Sequence, residues 1–168
     1  MINSLETGRL MLIPITLEIA RELLQGGRKE MEKLGVIMDS NWPTDDTMDI
    51  LPIILQSLEV SKEPSGFETW MIVRKDDRRV IGDIGFFGKP NEEGEVQIGY
   101  GLVKQEHGKG YGTEALKAIV DWALSQEEVK VIQADCLLDN ITSASILRKV
   151  GMQETKRDEE LIYWEYRK

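Results

Sequence analysis

From Val96 to Leu138 the chain reads as strand, glycine-rich turn, helix, strand, and this series restricts the fold more than any other stretch. The run "EVQIGYGLV" is rich in β-branched and aromatic residues and reads as a strand. A helix is predicted from about Gly112 to Ser125, because Leu116, Ile119, Val120, Ala123 and Leu124 recur three and four apart while Lys117 and Asp121 face water. "KVIQADCLLD" reads as the next strand, with Cys136 on its core face. A helix joining two strands of one sheet makes a right-handed crossover, so these strands run parallel.

The flanking segments imply a different pairing. "FETWMIV", "RVIGDIGFF" and "EVQIGYGLV" are separated by "RKDDR" and "GKPNEEG", whose turn formers predict an antiparallel meander. "RLMLIPI" reads as a first strand, and "TLEIARELL" as a helix capped by Thr16 with Leu17, Ala20, Leu23 and Leu24 on one face. Between Arg28 and Ser61 helical pieces are expected, with Pro52 breaking or restarting one. "NITSASILRKVG" reads as a short helix stopped by Gly151, and "MQETKR" with "ELIYWEYR" as a closing hairpin. The expected fold class is α+β: three layers in one domain, residues 1–168, around a mixed, mostly antiparallel sheet of about seven strands.

A formal charge of -9 argues against general affinity for nucleic acid or an anionic membrane and suits a cationic ligand. The single cysteine excludes an internal disulfide, and no stretch approaches the roughly 18 apolar residues of a membrane span, so a cytoplasmic protein is expected. The closing hairpin leaves monomer and homodimer both open.

Gly108, Gly110 and Gly112 stand between the strand and the helix. A glycine-rich turn there exposes backbone N–H groups at the positive end of the helix and lets a ligand approach closely, which suits a phosphate; a merely flexible turn is the alternative. Thr113 occupies the place of the third glycine in a dinucleotide fingerprint, and no Gly-Lys-Ser/Thr ending of a P-loop is present.

"QIGYGLVKQEHGKGYGTEAL" followed by "DNITSASILRKVGM" resembles the two signature segments of the GCN5-related N-acetyltransferases, in the branch containing the ribosomal-protein N-terminal acetyltransferases. "LETGRLMLIPIT" is similar to the first strand of that branch. The resemblance implies that acetyl-CoA is bound by Leu102, Val103 and Lys104 at the strand end and by His107, Gly108, Lys109, Gly110, Tyr111, Gly112 and Thr113 in the loop and first helical turn. Asn140, Ser143 and Lys149 would contribute from the second segment. His107 replaces the usual arginine, Met152 replaces a phenylalanine, and Lys104 stands where proline is common.

Acetyl transfer to an amine needs oxyanion donors, a route for the amine proton and a proton for the thiolate. By the resemblance, the donors are backbone N–H groups at Leu102 and Val103, freed where "GYGLV" bulges from a strand splayed from its parallel neighbour. Gln97 occupies a position that is often Glu in relatives, so Glu95, two residues away on the same face, is the candidate base; selection of the neutral amine is the alternative. The family's proton-donating tyrosine aligns with Leu147, which leaves Ser143 or water, and Asn140 would bind the cofactor arm.

The acceptor is expected to be a protein N-terminal α-amine or a small amine, contacted by Trp42, Glu95 and Gln97 with no metal ion. Asp39, Asp45, Asp46 and Asp49 near Trp42 would favour a cation or simply cap helices. Trp70, Tyr100, Tyr163 and Trp164 read as cleft or core. A non-catalytic acyl-CoA-binding module is the competing reading.

Overall fold

The computed structural model describes residues 2–168. The chain opens with β1 (Leu5–Glu6), β2 (Leu10–Pro14), α1 (Leu17–Leu24), α2 (Lys29–Leu34) and β3 (Ile37–Met38). The helix α3 (Asp45–Ser61) precedes the meander β4 (Thr69–Arg74), β5 (Arg79–Phe86) and β6 (Glu95–Leu102). A 3₁₀ turn over Lys104–Glu106 leads into α4 (Tyr111–Leu124), followed by β7 (Val131–Leu137), α5 (Ile141–Lys149), β8 (Gln153–Arg157) and β9 (Leu161–Arg167).

The strands lie in the order β1-β2-β4-β5-β6-β7-β9-β8, with β3 parallel to β5. β6 and β7 form the expected parallel pair, and the other neighbours along the main order are antiparallel. Among the described residues nine strands stand where about seven were expected; the additions, β1 and β3, are two residues each and too short to show a period in sequence.

Local chemistry fixes the helix starts. Thr16 Oγ1 accepts from Ile19 N at 3.2 Å, Thr44 Oγ1 from Thr47 N at 3.2 Å, and Asn140 Oδ1 from Ser143 N at 3.0 Å. Pro52 does not break α3, contrary to expectation. Its ring is exposed, while Thr47, Leu51, Ile54 and Leu58 bury the opposite face, so tertiary packing carries the helix through the lost hydrogen bond.

Successive strand residues point to opposite faces, which assigns the layers. Phe86 meets Trp122 of α4, with ring centroids 6.0 Å apart. Asp83, three residues earlier on β5, accepts hydrogen bonds from Trp42 and from Thr47 of α3. Thus α3, which packs on α1, covers one face, and α4, which packs on α5, covers the other. Cys136 is buried in the core as expected.

Candidate active site

The turn into α4 is built for exposed amides. Gly108 and Gly110 have φ of +76° and +85°, in the left-handed region that costs other residues energy, and nothing lies within 4 Å of a Cβ placed on Gly108. Among the described residues no side chain caps α4, and the N–H groups from Gly108 to Thr113 donate to no other group. Three ion pairs brace the turn. Arg9 bonds Glu114 at 2.8 Å and the Lys109 carbonyl at 3.0 Å, and stacks 4.3 Å from the Tyr111 ring centroid. The buried Glu106 accepts from Arg74 at 2.7 Å and Lys109 at 3.1 Å. Burial pushes the Glu106 carboxyl up, but these cations outweigh burial and hold it below the usual carboxylate range.

The predicted splay is present, and its geometry differs from expectation. Pairing between β6 and β7 stops at Gln97↔Gln133. The β5–β6 ladder, by contrast, continues without a register shift from Phe86↔Ile98 to Gly82↔Leu102, so no bulge forms in "GYGLV". Phe87 N donates to the Gln97 carbonyl and Val103 N donates to the Ile81 carbonyl at 2.8 Å. Odd-numbered residues of β6 therefore turn their backbone groups to β5, and the N–H groups of Tyr100 and Leu102 face the gap. The Leu102 N–H is therefore open to the gap. That of Val103 is not, because it is already committed to β5.

Both faces of the sheet open into a cleft of about 1280 Å³ at this gap. Ser143 and Asn140 line it, Asn140 with its side-chain oxygen already engaged as the cap of α5. Tyr100 Oη donates to Ser143 Oγ at 3.2 Å, placing a phenol beside the predicted serine. Burial pushes the Tyr100 hydroxyl up, against a smaller lowering by the Ser143 bond, so the phenol stays protonated at neutral pH. Gln97 lines the apex of the gap and donates to Asp135 at 3.0 Å.

Other predicted residues lie elsewhere or are already engaged. Glu95 is outside the cleft lining: it begins β6 and accepts from Asn91 at 3.0 Å and Gln133 at 3.2 Å, since the hairpin turn and β7 reach it first. Trp42 is also outside, 2% exposed in the core. His107 Nε2 donates to the Leu102 carbonyl at 2.9 Å and thereby folds the turn against the strand. Lys104 and Lys149 are exposed. Trp70 and Trp164 belong to the core, and Tyr163 donates to Asp158 on the surface.

Asp83 was missed in the sequence. It is partly buried on the α3 side of the cleft, opposite Gly101, where an added Cβ would meet nothing within 4 Å. Trp42 Nε1 donates to Asp83 Oδ2 at 2.8 Å and Thr47 Oγ1 to the same oxygen at 2.5 Å. Burial pushes the Asp83 carboxyl up, the Thr47 and Trp42 bonds oppose that, and Asp46 adds to it; the net shift is upward. The available signal was the one charge inside the apolar run "RVIGDIGFF". Arg9 and Glu106 carried no comparable signal. Of the acidic group near Trp42, Asp46 and Asp49 line the cleft, whereas Asp39 lies 4.0 Å from Arg79.

The acetyltransferase (GNAT) domain profile matches residues 9–153. The chain belongs to the GNAT acetyltransferases. An uncharacterized N-acetyltransferase of Bacillus subtilis, YjdG, is 33% identical over 162 residues, 96% of each chain. A solved chain with the same fold is the ribosomal-protein-S5-alanine acetyltransferase of Vibrio fischeri, at TM-score 0.70 and 17% identity over 99% of this chain and 97% of that one. RimL, a ribosomal L7/L12 α-N-protein acetyltransferase in complex with coenzyme A, matches at TM-score 0.70 and 15% identity over 98% of each chain. At these identities the solved structures establish the shared fold alone. Among the described residues no group of histidine, cysteine and carboxylate side chains could hold a metal ion, and no helix is long and apolar enough to cross a membrane.

Proposed function

We propose that residues 1–168 act as one N-acetyltransferase domain that takes the acetyl group of acetyl-CoA to a primary amine, both substrates being bound at once. One observation carries this reading: the partnerless amides from Gly108 to Thr113 stand at the same end of the β6–β7 gap as the open backbone of Tyr100 and Leu102. A pyrophosphate would sit on the former, where helix polarity favours an anion, and Lys109 and Lys104 would add charge from the rim. The amide-bearing arm of the cofactor would thread the gap and pair with β6 as a missing strand would, beside Asn140 and Ser143.

When bound, acetyl-CoA would supply an activated acyl group at the apex of the gap. The N–H groups of Tyr100 and Leu102 are the available donors for the developing oxyanion. The Tyr100 and Ser143 hydroxyls, joined by their hydrogen bond, would deliver the proton to the departing sulfur. The amine would enter from the α3 side, where Asp46, Asp49 and Asp83 favour an acceptor that arrives protonated.

A thermal melt with coenzyme A tests the reading. At about a hundredfold excess over Kd, linkage contributes about 2.7 kcal/mol, or an upward shift of about 5–10 °C, with none from NAD. Thiol release with spermidine and with an alanine-initiated peptide then separates the two acceptor classes. An unshifted melt would overturn the reading.

A further inference from the structure

We infer that Asp83 Oδ1 binds the acceptor ammonium and takes its proton. The inference rests on the acetyltransferase reading and goes past it, because neither the family nor the sequence motifs designate this residue.

Geometry supplies the case. Both hydrogen bonds to the carboxylate land on Oδ2, so Trp42 and Thr47 fix its orientation from the core and from α3. Oδ1 makes no hydrogen bond with the described residues and is not sealed from the cleft. A carboxylate oriented by its inner oxygen, with its outer oxygen open beside the bare backbone of Gly101, is preorganised for a cationic donor. A strut serving only to pin α3 would have no need of that opening.

The position fits the reaction. Asp83 faces the α3 side, while Tyr100 reaches Ser143 on the α4 side, so a base for the amine and a donor for the sulfur stand on opposite faces of the sheet and line one cleft. The step is a single proton transfer. An ammonium nitrogen gives one proton to Oδ1, Asp83 becomes a neutral acid, and the nitrogen keeps the electron pair for attack on the acyl carbon. Solvent in the open cleft then takes the proton and restores the carboxylate.

The titratable and charged groups around Asp83 come from several elements. Asp46 and Asp49 of α3, Glu68 before β4, Asp135 and Cys136 of β7, and Tyr100 of β6 line the same cleft, with Lys89 after β5 as the cation at its mouth. Burial first, and Asp46 after it, hold the proton more firmly than an exposed aspartate would, against the opposing Thr47 and Trp42 bonds. Activity that needs the carboxylate therefore falls, as pH is lowered, at a higher pH than an ordinary aspartate would give.

The test is Asp83→Asn, whose carboxamide oxygen still accepts from Trp42 and Thr47. Spermidine and the alanine-initiated peptide serve as probe amines, and kcat/KM is measured against pH. The expected result is about a 100-fold loss at neutral pH with the acidic limb removed, and coenzyme A still raising the melting temperature as in the wild type. A second readout needs no turnover: the carboxyl resonance of Asp83 in the wild type should titrate at lower pH once spermidine is added. Should Asp83→Asn melt early, Thr47→Val decides: loss of that hydrogen bond moves the acidic limb upward if Asp83 is the base and leaves it in place otherwise. Wild-type kcat/KM and an unaltered limb in Asp83→Asn overturn the inference alone. A wild type that binds no coenzyme A overturns the acetyltransferase reading with it.

Discussion

The two halves of the candidate site are made in opposite ways. On the α4 side the groups proposed to hold the cofactor are backbone amides of one continuous segment, Gly108 to Thr113, and the side chains around them serve as braces. On the α3 side the groups proposed to receive the amine are side chains drawn together from α3 and β5. A backbone site needs conformations that few residues adopt, so it marks the sequence with glycines at fixed spacing. An assembled site needs only that distant positions meet, and it marks the sequence hardly at all.

The sharpest break in this contrast is Gly110→Glu. Its backbone lies in the left-handed region and its Cβ would come within 3.2 Å of Arg9 Nη2, so a carboxylate there both fills and charges the phosphate position. The expected outcome is complete loss of the coenzyme A melting shift with the core still folded, and a full shift in the variant would remove the loop from the site.

Glu106→Gln weakens the braces and leaves the glycines in place. Removing the buried carboxylate is expected to cost about 2 kcal/mol, read by urea denaturation at neutral pH. The cost depends on pH with a definite sign. The folded-state pKa of Glu106 is depressed, so its contribution is present above the unfolded-state value and disappears as pH falls through the folded-state value. Wild type and Glu106→Gln should therefore converge in stability in acid, and a gap that stays constant with pH would argue that the ion pair contributes nothing.

The smallest expected effect is that of Glu95→Gln. Its carboxylate is occupied by Asn91 and Gln133, outside the cleft, so kcat/KM should change less than about twofold and the acidic limb should remain. A lost limb would return the base to β6 and remove Asp83 from the mechanism.

These residues also mark how far the sequence could be read. Strand alternation and helical period placed the meander, the crossover and the parallel pair, because each buries a regular stripe. Pro52 misled because local propensity yields to the packing of Leu51, Ile54 and Leu58. The splay was expected from the family resemblance, yet which amides it frees depends on the β5–β6 register, which turns Val103 inward and Leu102 outward. Glu95 was suggested because it stands two residues from Gln97 on the same strand face, whereas Asp83 lies twelve positions earlier on the neighbouring strand. Trp42 could be read as a loop aromatic open to a ligand, but it is the donor that orients Asp83 from within the core.

Backbone amide resonances followed during titration with coenzyme A test the central claim most directly. The account predicts that the amides of Gly108, Gly110, Tyr111, Gly112 and Thr113 move most, with Tyr100 and Leu102 moving as the arm enters the gap, while Gly26 and Gly35 stay in place. Saturable binding that leaves the loop amides unmoved, or no binding at all, would contradict it.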